Sequence, residues 1–261
     1  MVIQTKSEES FKTLRDWLAT PLGESLLQQE FRVVEEAFDG IFGEQCLQLG
    51  LWGEPNAFLR FARTQQGACI ADMADMAESE ASTRPEALGH LYRLPVASDS
   101  VDAVLLPHTL DYSDRPHAIL REAERVLRSD GHLVVLGFKP GGLWGLRRLI
   151  PGAGLPPGVD HLISDRQLTD WLQLLDFRIQ ISSRYFFRWP LPGNRSSSSP
   201  LWERRGQRWW PELSACYMLT AQKRVITLTT VRRPWRSRPK VVAGLIKPTT
   251  RVSRIRFDRN S

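Results

Sequence analysis

The chain reads as an α/β protein on a doubly wound, mostly parallel sheet, and three observations point there. Short apolar runs ending in glycine or proline alternate with amphipathic helical stretches, and parallel neighbours need such crossover connections. The alternation is clearest from Leu94 to Phe138, LPVASDSVDAVLLPHTLDYSDRPHAILREAERVLRSDGHLVVLGF, which reads as strand, helix and strand. A chain of 261 residues with 42% hydrophobic content is long enough for one sizeable core with appendages.

Each element has a local reason. SFKTLRDWLAT places Phe11, Leu14 and Leu18 at helical spacing with Trp17 beside the stripe. Thr20 and Pro21 then supply an N-cap and a first-turn proline for a second helix, running to Gly40. Its Leu22, Leu26, Leu27, Val33, Val34 and Phe38 fit one broad face. CLQLG is a strand stopped by Gly50, a helical stretch is expected around Phe58 to Ala62, and GACIADM is the second strand. Val101 to Pro107 is another strand, HAILREAERVL a helix, Ser129 to Gly131 a helix stop and turn, and HLVVLGF the next strand.

The glycine- and proline-rich segment after Lys139 reads as a long loop of the kind that forms lids or substrate walls, with Leu143, Trp144 and Leu146 either lining an acceptor pocket or covering the sheet edge. Ser164 opens another helix, SDRQLTDWLQLLDF, followed by the strands FRIQISSRYFF and SACYMLTAQKRV. Between those strands lies an insertion from Pro190 to Pro211, in which Trp202, Trp209 and Trp210 suggest packing back on the body.

Composition excludes some classes. No apolar run of membrane-spanning length exists, and MVIQTKSEES carries acids where a signal peptide needs its apolar stretch, so a cytoplasmic protein is expected. Cys46, Cys69 and Cys216 are far apart with no CxxC spacing; core packing is expected of them, and no metal centre. Net charge is +6, but residues 226–261 hold ten Lys/Arg against one Asp, which leaves the preceding body at −3. Such a tail, with Trp235 and Phe257 among its arginines, suits nucleic acid, an anionic surface or plain solubility.

The ordered motifs resemble the class I S-adenosylmethionine-dependent methyltransferases, in particular the type 11 methyltransferase domain. Leu94-Pro95 with Ser98, Asp99, Ser100, Val101 and Asp102 is similar to that family's LPF…D-x-SFD element, His108-Thr109-Leu110-Asp111 to its HVLEH, and Arg125 to Gly131 to its RVLKPGG. TPLGESLLQQE, IFGEQCLQLG and GGLWGLRRL look like a small, poorly characterised bacterial branch in which an LGxWG-like turn stands in for GxGxG. The resemblance implies a Rossmann-like methyltransferase sheet with helices on both faces, preceded by two N-terminal helices. Its division is 1–41 for those helices, 42–225 for the methyltransferase-like domain and 226–261 for the basic tail.

It also implies S-adenosylmethionine as cofactor, held by Gly50, Leu51, Trp52 and Gly53 after the first strand, Asp72 on the ribose, His90 and Leu91 near adenine, and Pro107 and His108 beside the sulfonium. Gly50 matches the family's first glycine, Trp52 and Glu54 fall at the second and third, and Gln48 replaces the acid of strand one. Asp72 lies 22 residues after Gly50 at a strand end, which suits a carboxylate accepting ribose hydroxyls. Trp52 either crowds the cofactor or walls it. His108 and Asp111 are the candidates for touching the acceptor, against a histidine that caps backbone and an acid that serves a helix N-terminus.

Methyl transfer is an in-line displacement at an already activated carbon, so orientation and water exclusion matter more than any one catalytic side chain. The expected function is methyl transfer to a small acceptor. Two alternatives stand beside it: a binding or scaffold protein with a weakened cofactor site, and a nucleic-acid-associated methyltransferase using the tail.

Overall fold

The computed structural model describes residues 14–72, 85–142, 144–145, 156–159, 161–187 and 208–224. Seven strands form one sheet in the order β3-β2-β1-β4-β5-β7-β6: β1 (Phe42–Leu49), β2 (Arg63–Asp72), β3 (Ala87–Gly89), β4 (Val101–Pro107), β5 (Leu127–Phe138), β6 (Phe177–Tyr185) and β7 (Cys216–Lys223). The pairs within β1 to β5 are parallel, whereas β7 runs antiparallel to both β5 and β6. Strand order reverses between β1 and β4, the point at which an open α/β sheet offers a crevice beyond its carboxyl ends.

Helices α1 (Pro21–Phe38), α2 (Pro116–Val126) and α3 (Asp165–Leu174) cover the two faces. One core joins α1 and the preceding Leu14 and Leu18 to Cys46, Ala103, Leu105, Val134, Leu136 and Met218. The other joins α2 and α3 to Leu47, Leu49, Val104, Leu106, Leu133, Val135 and Leu219. In β1, β5 and β7, and at positions 103–106 of β4, odd and even residues therefore serve different cores, as the two-residue repeat of a strand requires. Residues Met1–Ile226 form one compact unit.

Helix starts follow their caps. The Thr20 hydroxyl accepts the Gly23 amide ahead of Pro21, and the Ser164 hydroxyl accepts the Gln167 amide. Between β1 and β2 the structure differs from expectation: the crossover contains only a 3-10 turn, Leu59–Phe61. Gly53, Pro55 and a left-handed Asn56 leave too little regular backbone for an α-helix there. Phe58 anchors the crossover instead, fully buried and edge-on to Phe31 of α1 at 5.0 Å.

Trp209 and Trp210 also depart from expectation, being 70% and 59% exposed rather than packed on the body. They precede a 3-10 turn, Pro211–Leu213, that buries none of its residues. Trp144, by contrast, is fully buried against Phe138 and Phe186 and covers the sheet. Trp202, Leu143, Leu146, Phe11 and the tail 226–261 lie outside the described residues.

The motifs that carry the family resemblance brace the scaffold. Arg125 donates to the Val96 carbonyl at 2.8 Å and to the Ser98 hydroxyl at 2.8 Å, while Glu122 accepts the Leu94 amide at 2.7 Å and pairs with Arg125. Together α2 and these bonds fasten the segment leading into β4. At the same edge Asp102 accepts the amides of Glu44 (2.7 Å) and Gln45 (2.9 Å) and pairs with Arg128 at 3.0 Å. A Cβ on Gly43 would meet the Asp102 side chain at 2.4 Å, so glycine lets the start of β1 close over that carboxylate.

Partial burial pushes the Asp102 carboxyl up, but the two amides and Arg128 win and hold it below the usual carboxylate range. Its folded pKa is thus lower than in the unfolded chain, so the stability it gives is present above about pH 4 and is lost as pH falls through the folded value. Asp102→Ala should cost about 1–3 kcal/mol at neutral pH, with the deficit shrinking in acid; urea unfolding at pH 7 and in acid checks it, and equal midpoints at both would remove the clamp.

Candidate functional site

The turns after β1 and β4 meet at the switch point. Gly50 adopts φ 89°, its amide donates to the Ile70 carbonyl at 2.8 Å, and a Cβ there would meet the Thr109 hydroxyl at 2.8 Å. Thr109 in turn donates to the Leu49 carbonyl. Glycine is needed because the turn after β4 presses directly on this backbone. Gln48 donates its side-chain amide to the Gly50 carbonyl at 3.1 Å, leaving its Oε1 buried without a hydrogen-bond partner among the described residues.

The residues expected to bind ligand divide into two groups. Asp72, half-buried, ends β2 opposite Gly89 of β3, and the exposed His90 follows with its ring stacked on Tyr92 at 5.1 Å. With Gly53 they stand along the accessible rim of the carboxyl edge. Leu51 packs beside Cys69 and Ala71, Leu91 joins the core under α2, and Pro107 closes β4 as a buried residue.

Trp52, His108 and Asp111 form the second group, each no more than 1% exposed. The side chains of Trp52 and His108 lie away from the accessible rim. Both turn into the core toward Glu30 of α1, which is itself fully buried. The Trp52 indole donates to Glu30 Oε2 at 2.5 Å, and His108 Nε2 lies 2.7 Å from Glu30 Oε1. His108 Nδ1 lies 3.1 Å from Asp111 Oδ2, which also accepts the Phe138 amide at 3.0 Å. Asp111 serves no helix N-terminus, because α2 begins only at Pro116.

A neutral imidazole has one N–H, yet each ring nitrogen of His108 faces a carboxylate oxygen, so the arrangement calls for the doubly protonated ring. Burial opposes the charge, but Glu30 and the hydrogen bonds from both carboxylates outweigh it and raise the His108 pKa to about 9. Burial pushes the Asp111 carboxyl upward too, against His108 and the Phe138 and Ile163 amides, so the pair titrates as a unit. The ring also lies between aromatic faces, 4.0 Å from the Phe138 centroid and 4.4 Å from Trp52. A protonated ring bonded on both sides has no lone pair with which to act as a base.

Ligand atoms of Glu30, His108 and Cys216 lie within 4.8 Å of one another. The 2.7 Å contact between His108 and Glu30 is, however, shorter than the roughly 3.3 Å between two ligand atoms of one tetrahedral zinc. The group is a hydrogen-bonded ion cluster. Cys46, Cys69 and Cys216 are all buried, and burial pushes the Cys46 thiol up to about 12.

Glu30 was not among the residues expected at the site, although the pattern holds a signal for it. It sits four after Leu26 and three and four before Val33 and Val34, in the middle of the buried stripe of α1. An acid there needs a buried partner.

Residues 53–135 match the family described as Methyltransferase domain. The mostly parallel seven-stranded sheet with helices on both faces is a Rossmann-like methyltransferase fold. The matched stretch begins at Gly53, inside the altered turn and beyond Gly50 and Trp52. The uncharacterised protein YafS of Escherichia coli K12 is 39% identical over 137 residues, covering 52% of this chain and 54% of that protein. The chain thus matches about half the length of that curated relative.

Among solved structures, a chain of the complex between the Haloferax volcanii Trm112 methyltransferase activator and its candidate methyltransferase aligns with TM-score 0.53 and 13% identity. It covers 81% of this chain and 98% of that one. A Thermotoga maritima S-adenosylmethionine-dependent methyltransferase aligns with TM-score 0.53 and 17% identity, over 75% of this chain and 88% of that one. At such identities these likenesses speak for the fold alone.

The His108 pKa is higher in this fold than the unfolded value of about 6.5, so the stability gained from the cluster is complete below that value and lost as pH rises through about 9. Asp111→Asn removes one of the two carboxylates and should lower the His108 midpoint, moving the alkaline loss of stability toward neutrality. Imidazole carbon shifts followed by NMR against pH check this; an unchanged midpoint would show that Glu30 alone sets the charge.

Proposed function

We propose that this protein is an S-adenosylmethionine-dependent methyltransferase acting on a small acceptor. The observation that carries the reading is the turn at the β1/β4 switch point, where a left-handed Gly50 lets the turn after β1 close directly on Thr109 of the turn after β4 at the carboxyl edge of the sheet. Three further features fit the cofactor. Asp72 stands half-buried at the end of β2, where a carboxylate can accept ribose hydroxyls; His90 and Leu91 follow β3; and the orphaned Gln48 Oε1 offers an acceptor at the end of β1. The family match and the fold support the same reading.

Bound there, S-adenosylmethionine supplies a methyl group already activated by a positive sulfur. The chain's own part is to orient and to exclude water. Gly50, Leu51 and Gly53 present backbone to the cofactor, Pro107 and the backbone of His108 border the reacting centre, and Trp52 and the His108 ring anchor these turns from behind. With His108 held as a cation between Glu30 and Asp111, its ring takes no proton from the acceptor. Tyr112 has a buried hydroxyl without a hydrogen-bond partner among the described residues. Burial and the charges of Asp111 and Glu30 keep that hydroxyl protonated, so it is available to donate to a small acceptor group.

Calorimetric titration with S-adenosylhomocysteine should give saturable binding to the full chain. Asp72→Ala should weaken it about 10- to 100-fold, the loss expected for charge-assisted hydrogen bonds. Gly50→Val should abolish it, because the added side chain meets Thr109. Absence of saturable binding by the natural sequence at millimolar ligand would sink the enzyme reading in favour of a non-catalytic scaffold.

A further inference from the structure

We propose that Glu30 is the positioning residue of this cleft: its single carboxylate on α1 fixes the turn after β1 through Trp52 and the turn after β4 through His108. The inference rests on the S-adenosylmethionine reading for its consequence, but the latch itself is a matter of geometry. The two oxygens of Glu30 are divided between the two turns, Oε2 to the Trp52 indole at 2.5 Å and Oε1 to the His108 ring at 2.7 Å. All three side chains are within 1% of complete burial, so no water can replace either bond.

Backbone conformation shows that the pull on each turn is specific. His108 sits at φ 56°, a left-handed conformation that is uncommon outside glycine and in which asparagine, aspartate and histidine are the residues most often found. Its carbonyl accepts the Asp111 amide at 2.9 Å while its ring reaches Glu30 on one side and Asp111 on the other. Release of the ring would remove the main side-chain hold on that conformation. On the facing turn, Trp52 follows the left-handed Gly50 by two residues and precedes the left-handed Gly53 by one. A buried indole fixed at its N–H leaves that short segment between two flexible glycines with one orientation.

The two turns touch each other at Gly50 and Thr109, so a change in either is felt by its neighbour. Tyr185 reinforces the latch weakly, its hydroxyl lying 3.4 Å from Glu30 Oε1. Cys216 of β7 lies beside the same carboxylate, and the buried Tyr112 hydroxyl feels its charge. Glu30 touches neither cofactor nor acceptor in this account. It acts by holding the residues that do, and binding to a pre-set cleft avoids the cost of ordering both turns.

Glu30→Leu keeps the side chain's bulk and its place on an apolar helix face while removing both bonds; Trp52→Phe cuts only the β1 arm. Amide hydrogen exchange on the full chain without ligand should rise at least tenfold in residues 50–55 and 108–112 of Glu30→Leu. In Trp52→Phe the rise should be confined to 50–55, and α3 should exchange as in the natural sequence in both. S-adenosylhomocysteine affinity should fall about tenfold or more in Glu30→Leu and less in Trp52→Phe, with Glu30→Gln, which keeps an acceptor for the indole, falling between them.

Unchanged exchange in both turns of Glu30→Leu would overturn the latch, as would a uniform rise that includes α3, which marks a merely structural loss. Should Glu30→Leu fail to fold, Trp52→Phe and Glu30→Gln carry the same comparison. If the natural sequence binds no S-adenosylhomocysteine, the cofactor reading falls, while the exchange pattern still decides whether Glu30 holds the two turns.

Discussion

A carboxylate placed in a protein core without water must find donors or be neutralised, and that constraint at Glu30 organises the region around it. The helix that carries it cannot rotate without exposing Leu26, Val33 and Val34, so the carboxylate stays over the sheet. Donors therefore come to it: an indole from the loop after β1 and an imidazole from the turn after β4. The imidazole gains a second carboxylate, Asp111, which is fixed in turn by the Phe138 amide at the end of β5. Three strand ends and a helix are thereby tied into one network in which the Trp52 indole, the His108 ring and the Glu30 carboxylate depend on one another. Such a network is demanding in stability, because removing one partner leaves a buried group unpaired.

The sheet has two edges with different work. At the amino edge, Asp102 gathers the first amides of β1 and the Arg128 guanidinium, and Lys223 reaches the carbonyls of Glu124 and Leu127. The motif residues Glu122 and Arg125 do the same for the segment entering β4. These interactions set register and strand entry and leave the carboxyl edge free for loops whose shape is not dictated by pairing. This division explains why a chain can keep the motifs of the type 11 family while its first turn reads LQLGLWGEP.

Much of the fold was legible in the sequence because its signals are local. The caps at Thr20 and Ser164, the glycine after CLQLG and the alternating buried positions of the strands each act over a few residues, and each stands where the pattern places it. The site was less legible. Gly50, Asp72, His90 and His108 could be placed on one edge by strand order, but the direction of the Trp52 and His108 side chains could not. It depends on Glu30, which is 78 residues from His108 in the chain and adjacent to it in space. Trp209 and Trp210 illustrate the same limit, since aromatic character alone does not say which surface a side chain meets.

The left-handed backbone at His108 has a bearing on how this sequence can change over time. Glycine there would relax the main chain but delete the only cation between two buried acids. Lysine would preserve charge, yet it has neither the flat ring that fits between Trp52 and Phe138 nor a second, oppositely directed donor. Backbone and side chain thus ask for different residues, and histidine meets both only while Glu30 and Asp111 are present. The order of substitutions matters: an acid must be neutralised first, making the histidine dispensable, before position 108 becomes free to drift. Lineages that retain one of the three should then retain all of them, and those that lose Glu30 should show glycine or asparagine at 108.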